Sequence, residues 1–172
     1  MLYTAITTNQ DCLSSLDIRI MPFPKEHLFL NDFDNNPPLF AYDEHGKPYL
    51  TNHEGIYFNI SHCKEAVAVG VSHCNIGIDV EGRRRFSDSL LQRAFNETEQ
   101  KMVTNAADPE SEFARIWTRK EAFFKWTGTG ILIDHLKTTE HDANNANCIV
   151  TTFSISDGEI PFWLSVAHQS IT

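Results

Sequence analysis

Two acidic side chains two residues apart, Asp79 and Glu81 in the run IGIDVEG, form the first grouping in this chain able to do chemistry. The β-branched residues around them predict a strand over Ile76 to Val80, and a strand's two-residue period sends both carboxylates to one face. Like charges held that close repel unless a cation neutralises them, so the pair predicts Mg²⁺ or a basic partner. Two solvated carboxylates at a strand end, with Arg83, Arg84 and Arg85 beside them, fit the same residues.

A second grouping lies in WTRKEAFFKW, where Trp117, Glu121 and Lys125 are spaced by four on one helical face with Lys120 adjacent. It supplies a third carboxylate, which could ligate a metal or act as general base, and two ammoniums able to hold a diphosphate. The diphosphate's oxygens would complete an octahedral Mg²⁺ shell. An exposed Glu–Lys pair at this spacing is the plainer alternative. A third grouping, YFNISHC, places Ser61 and His62 at the end of a predicted strand, where a hydroxyl and an imidazole can reach an anionic ligand. Taken singly, a histidine after a strand is more often a turn or satisfied core residue. The sequence has no G-x-S-x-G elbow, no P-loop and no G-x-G-x-x-G after a strand.

The elements that must position these groups follow from periodicity. Pro38 to Leu50 reads as two short apolar runs, LFAY and PYL, joined by DEHGK, a hairpin or loop pair in which Gly46 supplies a positive φ. Ile56 to Ser61, Ala66 to Val71 and Ile76 to Val80 read as successive strands at the centre of a sheet. Phe86, Leu90, Leu91, Ala94 and Phe95 then recur at helical spacing, with Ser87 as N-cap. The strongest helix runs from about Pro109 to Trp126 and ends at Gly128 and Gly130. Cys148 to Ile155 and Pro161 to Ala167 alternate around SDGE as two closing strands. Asp32 to Pro38 and Glu140 to Asn147 read as soft linkers. Strands and helices mix without a βαβ rhythm, so the expected class is α+β.

The totals narrow the function classes. A chain of 172 residues holds one full-sized domain or two small lobes sharing a core. The net charge of -9 argues against nucleic acid as a partner, because counterion release needs a basic surface. The N-terminus has neither the basic start nor the apolar run of a signal peptide, and no stretch is long enough to span a membrane, so a cytoplasmic location with no membrane partner is expected. Cys12, Cys63, Cys74 and Cys148 are scattered without a CxxC pair, and free, mostly buried thiols are expected. A zinc module drawn from His53, His62, Cys63, His73 and Cys74 is disfavoured by spacing, since adjacent strand residues point to opposite faces.

Taken in order, GKP (Gly46 to Pro48), FNISH (Phe58 to His62), GIDVE (Gly77 to Glu81), FNETE (Phe95 to Glu99), WTRKEAFFK (Trp117 to Lys125) and GTG (Gly128 to Gly130) resemble the motif series of the Sfp-type 4'-phosphopantetheinyl transferases. The likeness covers about Gly46 to Gly130 and the end of the chain more loosely. It implies a fold of two unequal pseudo-duplicated lobes, here an abbreviated lobe over residues 1–73 and a second over 74–172 carrying most catalytic groups. It also implies transfer of the phosphopantetheine arm of coenzyme A to a serine of an apo acyl or peptidyl carrier protein, with Mg²⁺ as cofactor and adenosine 3',5'-bisphosphate as the second product. By that resemblance Asp79, Glu81 and Glu121 are the metal ligands and Glu121 takes the serine proton. Lys120 and Lys125 spread the charge of the transferring group. Ser61 and His62 contact the 3'-phosphate, and Lys47 and Pro48 line the adenine side. Glu99 matches a position of metal-shell or structural role.

One departure from the resemblance is the stretch before GKP. Two-lobed members carry there a helix of arginines and lysines that holds the nucleotide phosphates. Residues 1–45 contain only Arg19 and Lys25, and MPFPKEHLFLNDFDNNPP is broken by prolines. Arg83 to Arg85 could reach phosphates or an acidic carrier protein instead, or could be a solvated charge run. Two lobes in one chain imply a monomer. A family member that binds a nucleotide or partner without turnover is the alternative reading.

Overall fold

The computed structural model describes residues 3–6, 17–21, 36–64, 66–131, 133–156 and 161–170. The observed class is mixed α+β, as the strand and helix periods imply. β1 (Tyr3–Ile6), β2 (Asp17–Met21), β5 (Tyr57–His62) and β6 (Val67–Ser72) form a four-stranded antiparallel sheet in the order β1-β2-β6-β5. β3 (Phe40–Tyr42) and β4 (Pro48–Leu50) form the expected hairpin, with Gly46 at φ 82° in its turn. A second antiparallel sheet has β9 (Pro161–Gln169) between β7 (Ile76–Glu81) and β8 (Cys148–Ser156).

β7 is an edge of its sheet, and an edge strand leaves a row of backbone donors unpaired. Two side chains of β5 take them: Asn59 Oδ1 accepts the Ile78 N–H at 2.9 Å and Ser61 Oγ accepts the Val80 N–H at 3.2 Å. The two sheets are thereby joined through side chains. The even-numbered residues Ile76, Ile78 and Val80 fill the core between them, with Ala68, Leu164 and Val166. Gly70 on β6 makes room for this layer, since a Cβ there would lie 2.0 Å from Ile78 Cδ1.

The odd-numbered side of β7 faces the longest helix, α3 (Pro109–Thr127). Its start is set by Asp108, whose side chain accepts the Ser111 N–H, and by Pro109 in the first turn. It stops at Gly128, left-handed at φ 75°. The apolar stripe of this helix is buried: Phe113, Ile116, Trp117, Phe123 and Phe124 form one core with Phe95, Val103 and Leu136. Phe113 stacks on Phe86, Phe95 and Trp117, with ring centroids 4.6, 4.7 and 5.7 Å away.

α1 (Asp88–Ala94) has Ser87 as N-cap, as its spacing predicts. The helix α2 (Glu97–Asn105) follows at once and was not read from the sequence, although FNETE carries its signal: Asn96 and Glu99 make a reciprocal capping box. The reading of Glu140 to Asn147 as a linker is corrected: after a 3₁₀ turn (Ile133–Thr138) the chain forms α4 (Thr139–Asn145). Its Asn and Asp residues favour loops in isolation, but burial of Leu136, Thr139 and Ala143 overrides that preference. The other soft stretch, Asp32 to Pro38, lies mostly outside the described residues, as does the SDGE turn. Of the described cysteines, none in a disulfide, only Cys148 is buried, whereas Cys63 and Cys74 are half-buried.

Candidate active site

Asp79 is 2% exposed and lies on the side of β7 that α3 covers. Gly77, one step before it on that face, lets the helix come this close: a Cβ there would sit 2.0 Å from the Ala122 carbonyl oxygen. Glu121 and Lys125, one helical turn apart, are thus brought onto Asp79. Lys125 Nζ donates to Asp79 Oδ1 at 2.6 Å and lies 3.8 Å from Glu121 Oε2. Trp117 Nε1–H donates to Glu121 Oε1 at 2.5 Å, so the indole both packs in the core and aims this carboxylate. Trp117, placed by its spacing on the face of Glu121 and Lys125, thereby gains a positioning role.

Glu81 completes the row but is held by another cation, Arg84, which pairs with it and lies over the Trp117 ring at 4.5 Å. Burial pushes the Glu81 carboxyl up, Asp79 adds to the shift and Arg84 opposes it. Glu121 is raised to about 7, first by burial and then by the Asp79 charge. With all three carboxylates ionised, Asp79, Glu81 and Glu121 carry one negative charge more than Lys125 and Arg84 offset. Asp79 Oδ2, moreover, is buried and accepts no bond from an N–H or hydroxyl, with the Glu121 carboxyl, when protonated, as the one donor facing Asp79. An oxygen-only set with an unmatched buried carboxylate atom fits a hard divalent cation such as Mg²⁺. Among the described residues no three acidic, His or Cys side chains already close on one point, so the three carboxylates would have to draw together to share such an ion.

Beside this cluster, the β3–β4 hairpin forms the wall of two cavities. One of about 300 Å³ is lined by Lys47, Pro48, Asn59, Ile60 and Lys125. The other, of about 430 Å³, is lined by Lys47, Pro48, His53, Tyr57 and Trp126. Lys47 crosses from the hairpin to the end of α3, donating to Asn75 Oδ1 at 2.9 Å and to the Trp126 carbonyl at 3.4 Å. Burial lowers the Lys47 ammonium from its ordinary value.

Residues 75–167, which contain all three carboxylates and Lys125, match the profile of the 4'-phosphopantetheinyl transferase superfamily. The chain belongs to that superfamily. Its relatives include the 4'-phosphopantetheinyl transferase psf-1 of Bacillus pumilus, 29% identical over 130 residues, or 68% of this chain and 56% of the relative. The transferase gsp of Aneurinibacillus migulanus is 30% identical over 118 residues, covering 67% and 45% of the two chains. HetI of Nostoc is 38% identical over 100 residues, covering 54% and 42%. The chain spans about half the length of these relatives. No helix among its described residues is long and apolar enough to cross a membrane.

Within this superfamily member, the residues singled out in the sequence separate into those that meet and those that do not. Asp79, Glu121, Lys125 and Ser61 meet directly, and Glu81 lies beside them through Arg84. Lys120 does not share their face. It is 2% exposed, pairs with Glu99 at 2.7 Å and donates to the Leu136 carbonyl at 2.5 Å. Its place is the wall of a separate cavity of about 470 Å³ bounded by α2, α3, α4 and β8. Glu99 accepts the Asn96 N–H as the capping residue of α2 and pairs with the buried Lys120. His62 alternates to the exposed side of β5, away from Ser61. Arg83 pairs with Asp108 and Glu110, while Arg85 is 95% exposed. The roles of Arg84 and Asn59 were missed, and both depend on contacts between separate elements.

The raised Glu121 carboxyl has a consequence for stability. Its folded value of about 7 stands above the ordinary 4.5, so the native state holds this proton more tightly than the unfolded chain does. That contribution is complete below the unfolded value and is lost as pH rises through the folded one, about 3 kcal/mol at the most. Glu81, shifted the same way, adds to it. In metal-free buffer the urea midpoint is expected to fall between about pH 5 and about pH 7.5, and less steeply in Glu121→Gln.

Proposed function

We propose that this protein transfers the 4'-phosphopantetheine group of coenzyme A to a serine of an apo carrier protein, with release of adenosine 3',5'-bisphosphate. The observation that carries the reading is the Asp79–Glu121–Lys125 cluster, with Asp79 buried and its Oδ2 bound by no N–H or hydroxyl, inside the segment that matches the family. Asp79, Glu81 and Glu121 would hold Mg²⁺, which when bound supplies positive charge to the diphosphate undergoing cleavage. Glu121, aimed by the Trp117 N–H, accepts the proton of the carrier serine, whose oxygen attacks the phosphorus bearing pantetheine. Lys125 offers its ammonium to the same oxygens. Lys47 and Pro48 border the cavities proposed for the nucleotide. His62, exposed at the end of β5 and in the wall of neither cavity, is the candidate for its 3'-phosphate on the strength of the family resemblance.

We assign the two lobes to residues 1–73 and 74–172 and take the protein to act as a cytoplasmic monomer. The test is incubation with coenzyme A, Mg²⁺ and several apo carrier proteins, followed by intact-mass measurement. The expected result is a gain of one phosphopantetheine arm, lost when EDTA replaces Mg²⁺. Folded protein that binds coenzyme A yet modifies no carrier would instead identify a binding module.

A further inference from the structure

We propose that Ser61 is a positioning residue that fixes the Asp79 carboxylate for a divalent cation, and that its hydroxyl is not a contact for coenzyme A. This deepens the proposed function and rests on Asp79 being a metal ligand.

Ser61 is 3% exposed, and its hydroxyl is fully committed within the protein. Its single proton goes to Asp79 Oδ1 at 2.7 Å. Its oxygen accepts the Val80 N–H at 3.2 Å and the Lys125 ammonium at 2.9 Å. A serine has one donor and two acceptor lone pairs, so no capacity is left for a phosphate. Lys125 also donates to Asp79 Oδ1, which therefore carries two short bonds while Oδ2 carries none. Rotation of the carboxylate would break both bonds at once, so the direction of the unmatched oxygen is fixed. Residues that orient a metal ligand in this way govern affinity even though they do not touch the ion. The docking of β5 on β7 does not rest on Ser61 alone, because Asn59 makes the other bond, to Ile78. The hold on Asp79 has no such duplicate on β5.

The test uses the full chain and Mn²⁺ as the probe, titrated with saturating coenzyme A and followed by the electron paramagnetic resonance of the free ion. Ser61→Ala is expected to weaken Mn²⁺ binding by about 10–100-fold, and Ser61→Thr to restore it. Binding of adenosine 3',5'-bisphosphate in EDTA, measured by calorimetry, is expected to stay at the wild-type value in both. Circular dichroism and thermal melts select the folded variants, and Ser61→Cys, nearly isosteric and a weaker donor, takes the place of Ser61→Ala if that one does not fold. Wild-type Mn²⁺ affinity in Ser61→Ala overturns the proposal, and so does weakened bisphosphate binding in EDTA or a wild type that takes up no Mn²⁺. A protein that binds Mn²⁺ through Ser61 but modifies no carrier overturns the transferase reading alone.

Discussion

Glu121→Gln is expected to slow carrier-protein modification by roughly 10²–10⁴-fold while leaving the fold intact. The amide has the volume of the carboxylate and its oxygen can still accept the Trp117 N–H, so packing in the core is preserved. What it loses is the negative charge that burial and Asp79 make basic, hence both a base and one ligand of the proposed cation site. Removing that charge also relieves repulsion with Asp79, so at neutral pH the variant should melt no lower than the wild type. A slow and stable variant separates chemistry from folding. Asp79→Ala is expected to be as inactive but less stable, since it strips Lys125 and Ser61 of their shared acceptor in a buried place. Intact-mass time courses with one apo carrier, beside thermal melts, measure both effects. Retained activity in both variants would refute the site.

The largest expected effect on stability belongs to a residue with no side chain. Gly77→Ala would place a Cβ 2.0 Å from the Ala122 carbonyl oxygen and 2.3 Å from the Trp126 backbone nitrogen. Both obstacles are backbone of a long helix packed over the strand, so neither can give way without separating α3 from β7. A loss above about 4 kcal/mol is expected, which for a domain of this size means insoluble or unfolded protein. Gly70→Ala is the control. Its Cβ would also meet an atom at 2.0 Å, but that atom is the Cδ1 of Ile78, the end of a flexible side chain that can change rotamer. Urea unfolding should show Gly70→Ala folded with reduced stability. Comparable stability of the two variants would mean that the helix does not ride on Gly77 as described.

Local rules were legible in the sequence. Asp108, Pro109 and Gly128 bound α3 through capping chemistry, and the two-residue period of β7 placed Asp79 and Glu81 on one side. The helical period likewise put Glu121 and Lys125 together, because four residues bring a side chain back to within about 40° of its starting direction. The same rule, taken strictly, separates Lys120 from Glu121 by about 100°, and the structure follows it by sending Lys120 to Glu99. Periodicity names a face and does not say what covers it. That Gly77 would let α3 press against the strand, that Ser61 would reach Asp79 across eighteen positions, and that Arg84 would take Glu81 were decided by packing between elements far apart in the chain. The Asn-rich run that became α4 shows the converse, a weak local preference reversed by burial. Sequence spacing thus determined which chemical groups share an element and a side of it. Tertiary contact alone decided which of them meet, because the energies that orient a buried carboxylate come from partners no local pattern specifies.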